Sequence, residues 1–120
     1  MTDFQKPAGV AFTINADGDY YIGSASQDNV VGRWIVHISD LGSLSATIIV
    51  KGRAKGTALA PVAIPYKKRY LNGSVGDDTN VSTTITGVSI IDIDSAGLDI
   101  AFTVDWTSGS GSIIAIPQDG

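Results

Sequence analysis

The stretch Leu98-Asp99-Ile100-Ala101-Phe102-Thr103-Val104-Asp105-Trp106 decides the fold class. Leu98, Ile100, Phe102, Val104 and Trp106 fall at alternate positions, and a period of two is that of an extended strand with one dry face. Working outward, the pattern recurs. In residues 30–38, Trp34, Val36 and Ile38 share one face while Arg33, Ile35 and His37 share the other. In residues 44–53, Leu44, Ala46, Ile48 and Val50 alternate with Ser45, Thr47, Ile49 and Lys51. The composition agrees: fifteen Ile, ten Val and ten Thr stand against five Leu, and all twelve acidic residues are Asp. Branched side chains suit a pleated surface, and Asp favours caps and turns, whereas the missing Glu and scarce Leu are helix formers.

Turn signals cut the chain into about eight strand-length segments. Asn15-Ala16-Asp17-Gly18-Asp19 predicts a hairpin in which residues 20–24 return beside residues 8–14. Asp40-Leu41-Gly42-Ser43 is the next turn. Residues 52–65 are irregular, with a short strand at 62–66, and Pro61 and Pro65 argue for an edge or a loop there. Asn72-Gly73-Ser74 and Gly76-Asp77-Asp78 make residues 70–79 a run of turns. Residues 81–93 read as one bent strand or two, with a bulge at Gly87. After the turn at Asp94-Ser95-Ala96-Gly97 and the long strand quoted above, Thr107-Ser108-Gly109-Ser110-Gly111 leads into a last strand at 112–116, which Pro117 ends. About eight antiparallel strands and no helix imply an all-β chain, a two-sheet antiparallel sandwich or jelly roll, with a closed barrel as the alternative. The expected organisation is a single domain over residues 1–120, with a short N-terminal arm at 1–7.

Charge and composition narrow the function classes. Eight basic against twelve acidic residues give a net charge of −4, which disfavours nucleic acid as a partner. No Cys is present, so disulfides, thiolate metal sites and Cys nucleophiles are excluded. No apolar run approaches the ~20 residues that span a bilayer, and the start of the chain has no basic-then-apolar leader, so neither a membrane partner nor a secretion signal is expected.

No catalytic constellation emerges. Asn15, Asp17 and Asp19 alternate as calcium ligands do, but an EF-hand loop needs Gly sixth and Glu twelfth, where this chain has Tyr20 and Ser26; a plain turn is the preferred reading. Asp92 and Asp94 share a strand face and, with Asp99 or Asp105, offer oxygens to a hard cation; solvated carboxylates that deter edge pairing are preferred. His37, the single imidazole, sits in an alternating strand without a Gly-x-Ser-x-Gly turn, which favours a structural role over a triad. Two Asp for glycoside hydrolysis cannot be singled out. Residues 108–112 are Gly-rich but lack the Lys and helix of a phosphate loop. No residue is therefore expected to serve as a catalytic, cofactor-binding or metal-ligating group.

The uneven feature is basic charge. Lys51, Arg53, Lys55, Lys67, Lys68 and Arg69 are six of the eight basic residues, and no acid falls between positions 51 and 69. Tyr66 and Tyr70 flank the last three, and Tyr and Arg are residues that anchor protein contacts. A partner surface of Phe4, Tyr66, Lys67, Lys68, Arg69 and Tyr70 is the expectation, with a basic region of one copy meeting an acidic region of the next. A solvated lysine-bearing loop is the alternative.

The order VKGRAKG at 50–56, AIPY at 63–66, and STTITGVSIIDIDSAGLDIAFTVDWTSGSGSIIAIP at 82–117 resembles small Gly/Ser/Thr-rich, cysteine-free β proteins among the structural proteins of tailed bacteriophages. The resemblance implies a virion decoration or cement protein: a jelly-roll-like domain on the outer capsid surface, commonly a homotrimer, bridging neighbouring major capsid protein subunits without enzymatic activity. It carries no residue-level motif, so it transfers no site. Two rivals stand beside it. One is a glycan- or receptor-binding module of a tail fibre or baseplate using Tyr20, Tyr21, Tyr66, Tyr70 or Trp34. The other is a hydrolase built on paired Asp.

Overall fold

The computed structural model describes residues 9–22, 32–39, 43–76 and 79–118, all in strands, turns and loops, with no helix among them. Eleven strands follow one another: β1 (Val10–Ile14), β2 (Gly18–Ile22), β3 (Arg33–Ser39), β4 (Ser45–Ala54), β5 (Val62–Ala63), β6 (Tyr66–Leu71), β7 (Ser74–Val75), β8 (Asn80–Val81), β9 (Ser89–Asp94), β10 (Leu98–Ser108) and β11 (Gly111–Gln118). They make two antiparallel sheets, one in the order β1-β11-β3-β9-β6-β7 with β8 also on β6, the other β2-β10-β4-β5.

Eight of these strands form a jelly roll. Omitting β6, β7 and β8, the first strand pairs with the last, the second with the seventh, the third with the sixth and the fourth with the fifth, as β1 with β11, β2 with β10, β3 with β9 and β4 with β5. A long antiparallel ribbon rolled over on itself gives that nesting, with both sheets pressing their apolar faces together. The eight expected strands thus correspond to the roll, and the count of eleven reflects an insertion between its fifth and sixth strands.

The core is the alternation made physical. Trp34, Val36 and Ile38 from β3 and Ile91 and Ile93 from β9 face Ile48 and Val50 from β4 and Ile100, Phe102 and Val104 from β10, all buried. Burying side chains of this size contributes about 1.5–3 kcal/mol each before chain entropy is counted.

Four expectations are corrected. First, residues 15–17 do not close a hairpin: β1 belongs to the larger sheet and β2 to the smaller, so the turn arches from one layer to the other. A turn signal marks reversal of direction, and it does not say whether the returning strand pairs with its predecessor or crosses the core. Secondly, Pro117 lies within β11, not after it. It pairs with Trp34 on β3 at a level that β1, whose pairing begins at Val10 with Ala115, does not reach, so among the described residues β11 is locally an edge there. Thirdly, Tyr70 and Leu71 are not in the run of turns but end a strand, β6 at Tyr66–Leu71, which also sets aside the alternative of a lysine-bearing loop there.

Fourthly, Gly87 is not in a strand bulge. It lies beside the 72–73 turn, where a Cβ would come 3.0 Å from Asn72 Cα. Asn72 holds that region together from a left-handed backbone with φ of 53°. Its Oδ1 accepts from the backbone N–H of Thr86 at 2.6 Å and of Gly87 at 2.9 Å, and its own N–H donates to Ser89 Oγ at 3.0 Å. Ile85 then exchanges two backbone hydrogen bonds with Ile48 on β4, of 2.9 and 2.8 Å, tying the inserted segment to the opposite sheet.

Candidate functional site

The insertion matters because it widens the larger sheet past β9 and brings β6 beside Asp92. Lys67 pairs with Asp92 across β6 and β9, Lys68 with Ile91, and the register then slips so that Tyr70 meets Ile90. Across β3 and β9, Arg33 meets Asp94, Ile35 meets Asp92 and His37 meets Ile90. These pairings gather Arg33, Lys67, Arg69, Asp92 and Asp94 at one end of the larger sheet.

They line a cleft of about 760 Å³, whose wall also includes Ile64, Pro65, Tyr66, Asn80 and Leu98. Asp92, 6 % exposed, is its centre. Arg33 Nε donates to Asp92 Oδ1 at 2.8 Å and to Oδ2 at 3.0 Å, Arg33 Nη2 donates to Oδ2 at 2.8 Å, and Arg69 Nη2 donates to Oδ2 at 3.1 Å. Fork-like Arg–carboxylate pairing of this kind is among the stronger protein hydrogen bonds. Burial alone would raise the Asp92 carboxyl, but the hydrogen bonds and charges of Arg33 and Arg69 together outweigh it and hold it below the ordinary carboxylate range. Hydrogen bonding to Asp92, and then its charge, raise Arg33 in turn.

Asp92 is therefore an ion-paired carboxylate and not the solvated one expected. Asp94 shares its cleft, and its Oδ1 accepts from Ala96 N–H at 3.1 Å. Asp99 lies on the other sheet, on β10. Among the described residues, no three His, Cys, Asp or Glu side chains cluster as metal ligands. Asp17 and Asp19 are engaged elsewhere: Asp17 Oδ1 accepts from Trp106 N–H at 2.6 Å and Asp19 Oδ1 from Thr103 Oγ1 at 2.7 Å. His37 is exposed, with Ile114 and Ile90 as its cross-strand neighbours.

The expected contact residues are divided by the fold. Lys67 is exposed, and Arg69 is tied to Asp92 with its side chain 47 % exposed. Lys68 alternates to the other side of β6, where its Cε and backbone oxygen lie so close to Gly76 that a Cβ there would meet them at 2.8 and 2.6 Å. Tyr66 is only 2 % exposed and belongs to the core; its hydroxyl donates to Thr83 O at 2.7 Å, and burial pushes the phenol up. Tyr70 is half-buried beside Ile90 and Val75. Phe4 and the arm at 1–7 lie outside the described residues. Lys51 and Arg53 are on the smaller sheet, so the six clustered basic residues do not make one patch.

Two contributors were missed from sequence. Arg33 stands alone in a strand, 59 positions from Asp92, with no local signal to link them. The second is apolar. Ile114 and Ile116, 38 % and 50 % exposed on β11, lie across from His37 and Ile35 on β3, and Ile35 lies across from Asp92. The outer face of the larger sheet therefore carries an isoleucine stripe that runs up to the charged cleft. The even positions of residues 112–116 held that signal, since a strand with Ile on both faces cannot bury both against one sheet.

The aromatic residues do not converge on a groove. Trp34 and Tyr66 are core residues, Tyr20 packs edge-on against Phe12 at 5.5 Å, and Tyr21 carries the Arg53 guanidinium 4.5 Å from its ring centre on the smaller sheet. Comparison with known proteins supplies no relative: no family model, no curated protein and no solved structure matches the chain.

Proposed function

We propose that this chain is a non-enzymatic virion protein that decorates the outer surface of a phage capsid, as a homo-oligomer of three copies, and bridges neighbouring major capsid protein subunits. The observation that carries the reading is the outer face of the larger sheet. Exposed Ile114 and Ile116 beside half-buried Ile35 and Ile90 form an apolar stripe, bordered by Arg33, Lys67 and Arg69. Contiguous exposed apolar surface rimmed by charge is the usual form of a protein contact, the apolar centre supplying affinity and the charged rim orientation and approach rate.

Supporting the reading further, the rolled ribbon gives a rigid platform, and jelly rolls recur in viral capsid domains as well as in lectins and cupins. Clamping a lattice needs many copies with modest individual affinity, held by avidity, and no reacting group. The scatter of the aromatic rings weighs against the sugar-stacking alternative.

The test is quantitative mass spectrometry of purified virions of the phage that encodes the chain, measuring copies relative to the major capsid protein. The expected ratio is near one copy per capsid subunit. A handful of copies per particle would move the chain to the tail, and absence would overturn a virion role.

A further inference from the structure

The register divides the charges along the strand axis. Among the described residues the Lys and Arg run from one end of the sandwich to its middle: Arg33 at the start of β3, Lys51 and Arg53 in the second half of β4 with Lys55 just beyond it, Lys67 level with Asp92, Lys68 level with Ile91 and Arg69 in the register slip that follows; Asp92, Asp94 and Asp99 lie among them. Asp17, Asp19 and Asp105 lie from the middle to the other end: Asp19 pairs with Thr103, Asp105 with Thr47, and Asp17 bonds Trp106. Arg33 and Ser39, at the two ends of β3, are about 20 Å apart at ~3.3 Å per residue.

The cationic end has donors to spare. Arg33, Lys67 and Arg69 line the cleft with Asp92 and Asp94. Asp92 already accepts four hydrogen bonds from the two arginines, and Asp94 Oδ1 holds Ala96. Among the described residues Lys67 has no ion pair and Arg69 commits only Nη2. The apolar walls at Ile64, Pro65 and Leu98 lower the local dielectric and sharpen the field felt by an entering anion. At the acidic end, Asp17 and Asp19 are exposed, and each uses one oxygen to hold its place against β10, so those carboxylates are already ordered.

We infer that the cleft formed by Arg33, Lys67 and Arg69 receives the Asp17 and Asp19 carboxylates of a second copy of this chain. The two surfaces differ, so the contact is heterologous, every bound copy offers a fresh acceptor end, and growth stops only when the rotation closes a ring. This rests on the oligomeric part of the reading above and names the residues that make it.

The test uses two variants. Lys67→Gln with Arg69→Gln removes the donor end. Asp17→Asn with Asp19→Asn removes the acidic end while keeping an oxygen for Trp106 N–H and Thr103 Oγ1. In sedimentation velocity at low salt, the wild type is expected to self-associate and each variant alone to be monomeric, with association weakened at least about tenfold for each close charge pair lost. An equimolar mixture is expected to form a dimer and nothing larger, because one intact cleft then meets one intact turn. Salt near 1 M, where screening acts over about 3 Å, is expected to dissolve both assemblies. A wild type that stays monomeric, a variant that still associates alone, or a mixture of folded variants that gives no dimer overturns the inference. Should the double cleft variant melt early, Lys67→Gln alone replaces it, and unchanged association then counts against the contact. None of these outcomes alters the virion copy ratio, which judges capsid decoration separately.

Discussion

Two Asp–Arg clusters sit on opposite outer faces of this sandwich, and they solve the same problem differently. On the larger sheet, Asp92 is gripped by Arg33 and Arg69 at 2.8–3.1 Å, with Lys67 left over beside an open cleft. On the smaller sheet, Asp99 is 2 % exposed and faces Arg53 Nε at 3.7 Å, and its Oδ2 accepts from Gly56 N–H at 3.3 Å. There the guanidinium lies over Tyr21 and also donates to Leu59 O at 3.5 Å, while Asp99 Oδ1 and Arg53 Nε have no hydrogen-bond partner among the described residues. The first cluster is strongly paired and has surplus cations; the second is closed under its own loop, with one cation for one anion. A count of basic residues treats them alike. Pairing geometry separates them: the first leaves cationic donors at an open cleft, and the second is spent on local structure.

Substitutions can break or sharpen that contrast. The core shared by both sheets sets the upper scale: Phe102→Ala is expected to cost about 3–5 kcal/mol in urea denaturation, because Phe102 is fully buried between the layers. Asp92→Asn should cost about 2 kcal/mol, since charge-assisted hydrogen bonds are worth about 1.5–3 kcal/mol and two arginines lose theirs. Tyr66→Phe removes the hydrogen bond to Thr83 O and should cost about 1 kcal/mol. Asp99→Asn should cost less than Asp92→Asn, because Asp99 holds Arg53 at 3.7 Å and accepts one hydrogen bond of 3.3 Å from Gly56, where Asp92 accepts four from two arginines. Equal costs for the two Asp→Asn variants would erase the distinction between the clusters.

Acid gives a second separation. The folded Asp92 carboxyl is held below its ordinary range, whereas in the unfolded chain an Asp titrates near about 3.9. Its contribution is thus complete above the unfolded value and is lost as the pH falls through the folded one. Stability measured from pH 6 down to about pH 2 should decline below about pH 4 in the wild type, and less steeply in Asp92→Asn.

What the sequence disclosed follows from range. The strands β3, β4 and β10 were legible because one-sided alternation is a local consequence of having one dry face, and the all-β sandwich followed from them. β6 was not legible. Its Tyr66 goes to the core and Lys68 lies against Gly76, so the alternation is carried partly by a lysine stem and reads as a charged loop. The jelly-roll nesting was open as one of two options, since a turn at 15–17 serves a hairpin or an arch equally. At the site, Lys67 and Arg69 were legible as a cluster. Their joining to Arg33 through Asp92 depends on contacts 23 and 59 positions long, and no local pattern encodes those.

Whether the outer face of the larger sheet is the contact face is tested most directly by lysine acylation footprinting of the chain held monomeric in salt near 1 M and of the chain in virions. Lys67 is predicted to lose reactivity on assembly while Lys51, on the outer face of the smaller sheet, keeps its own. Protection of Lys51 with Lys67 still reactive would place the contact on the wrong face and contradict the account.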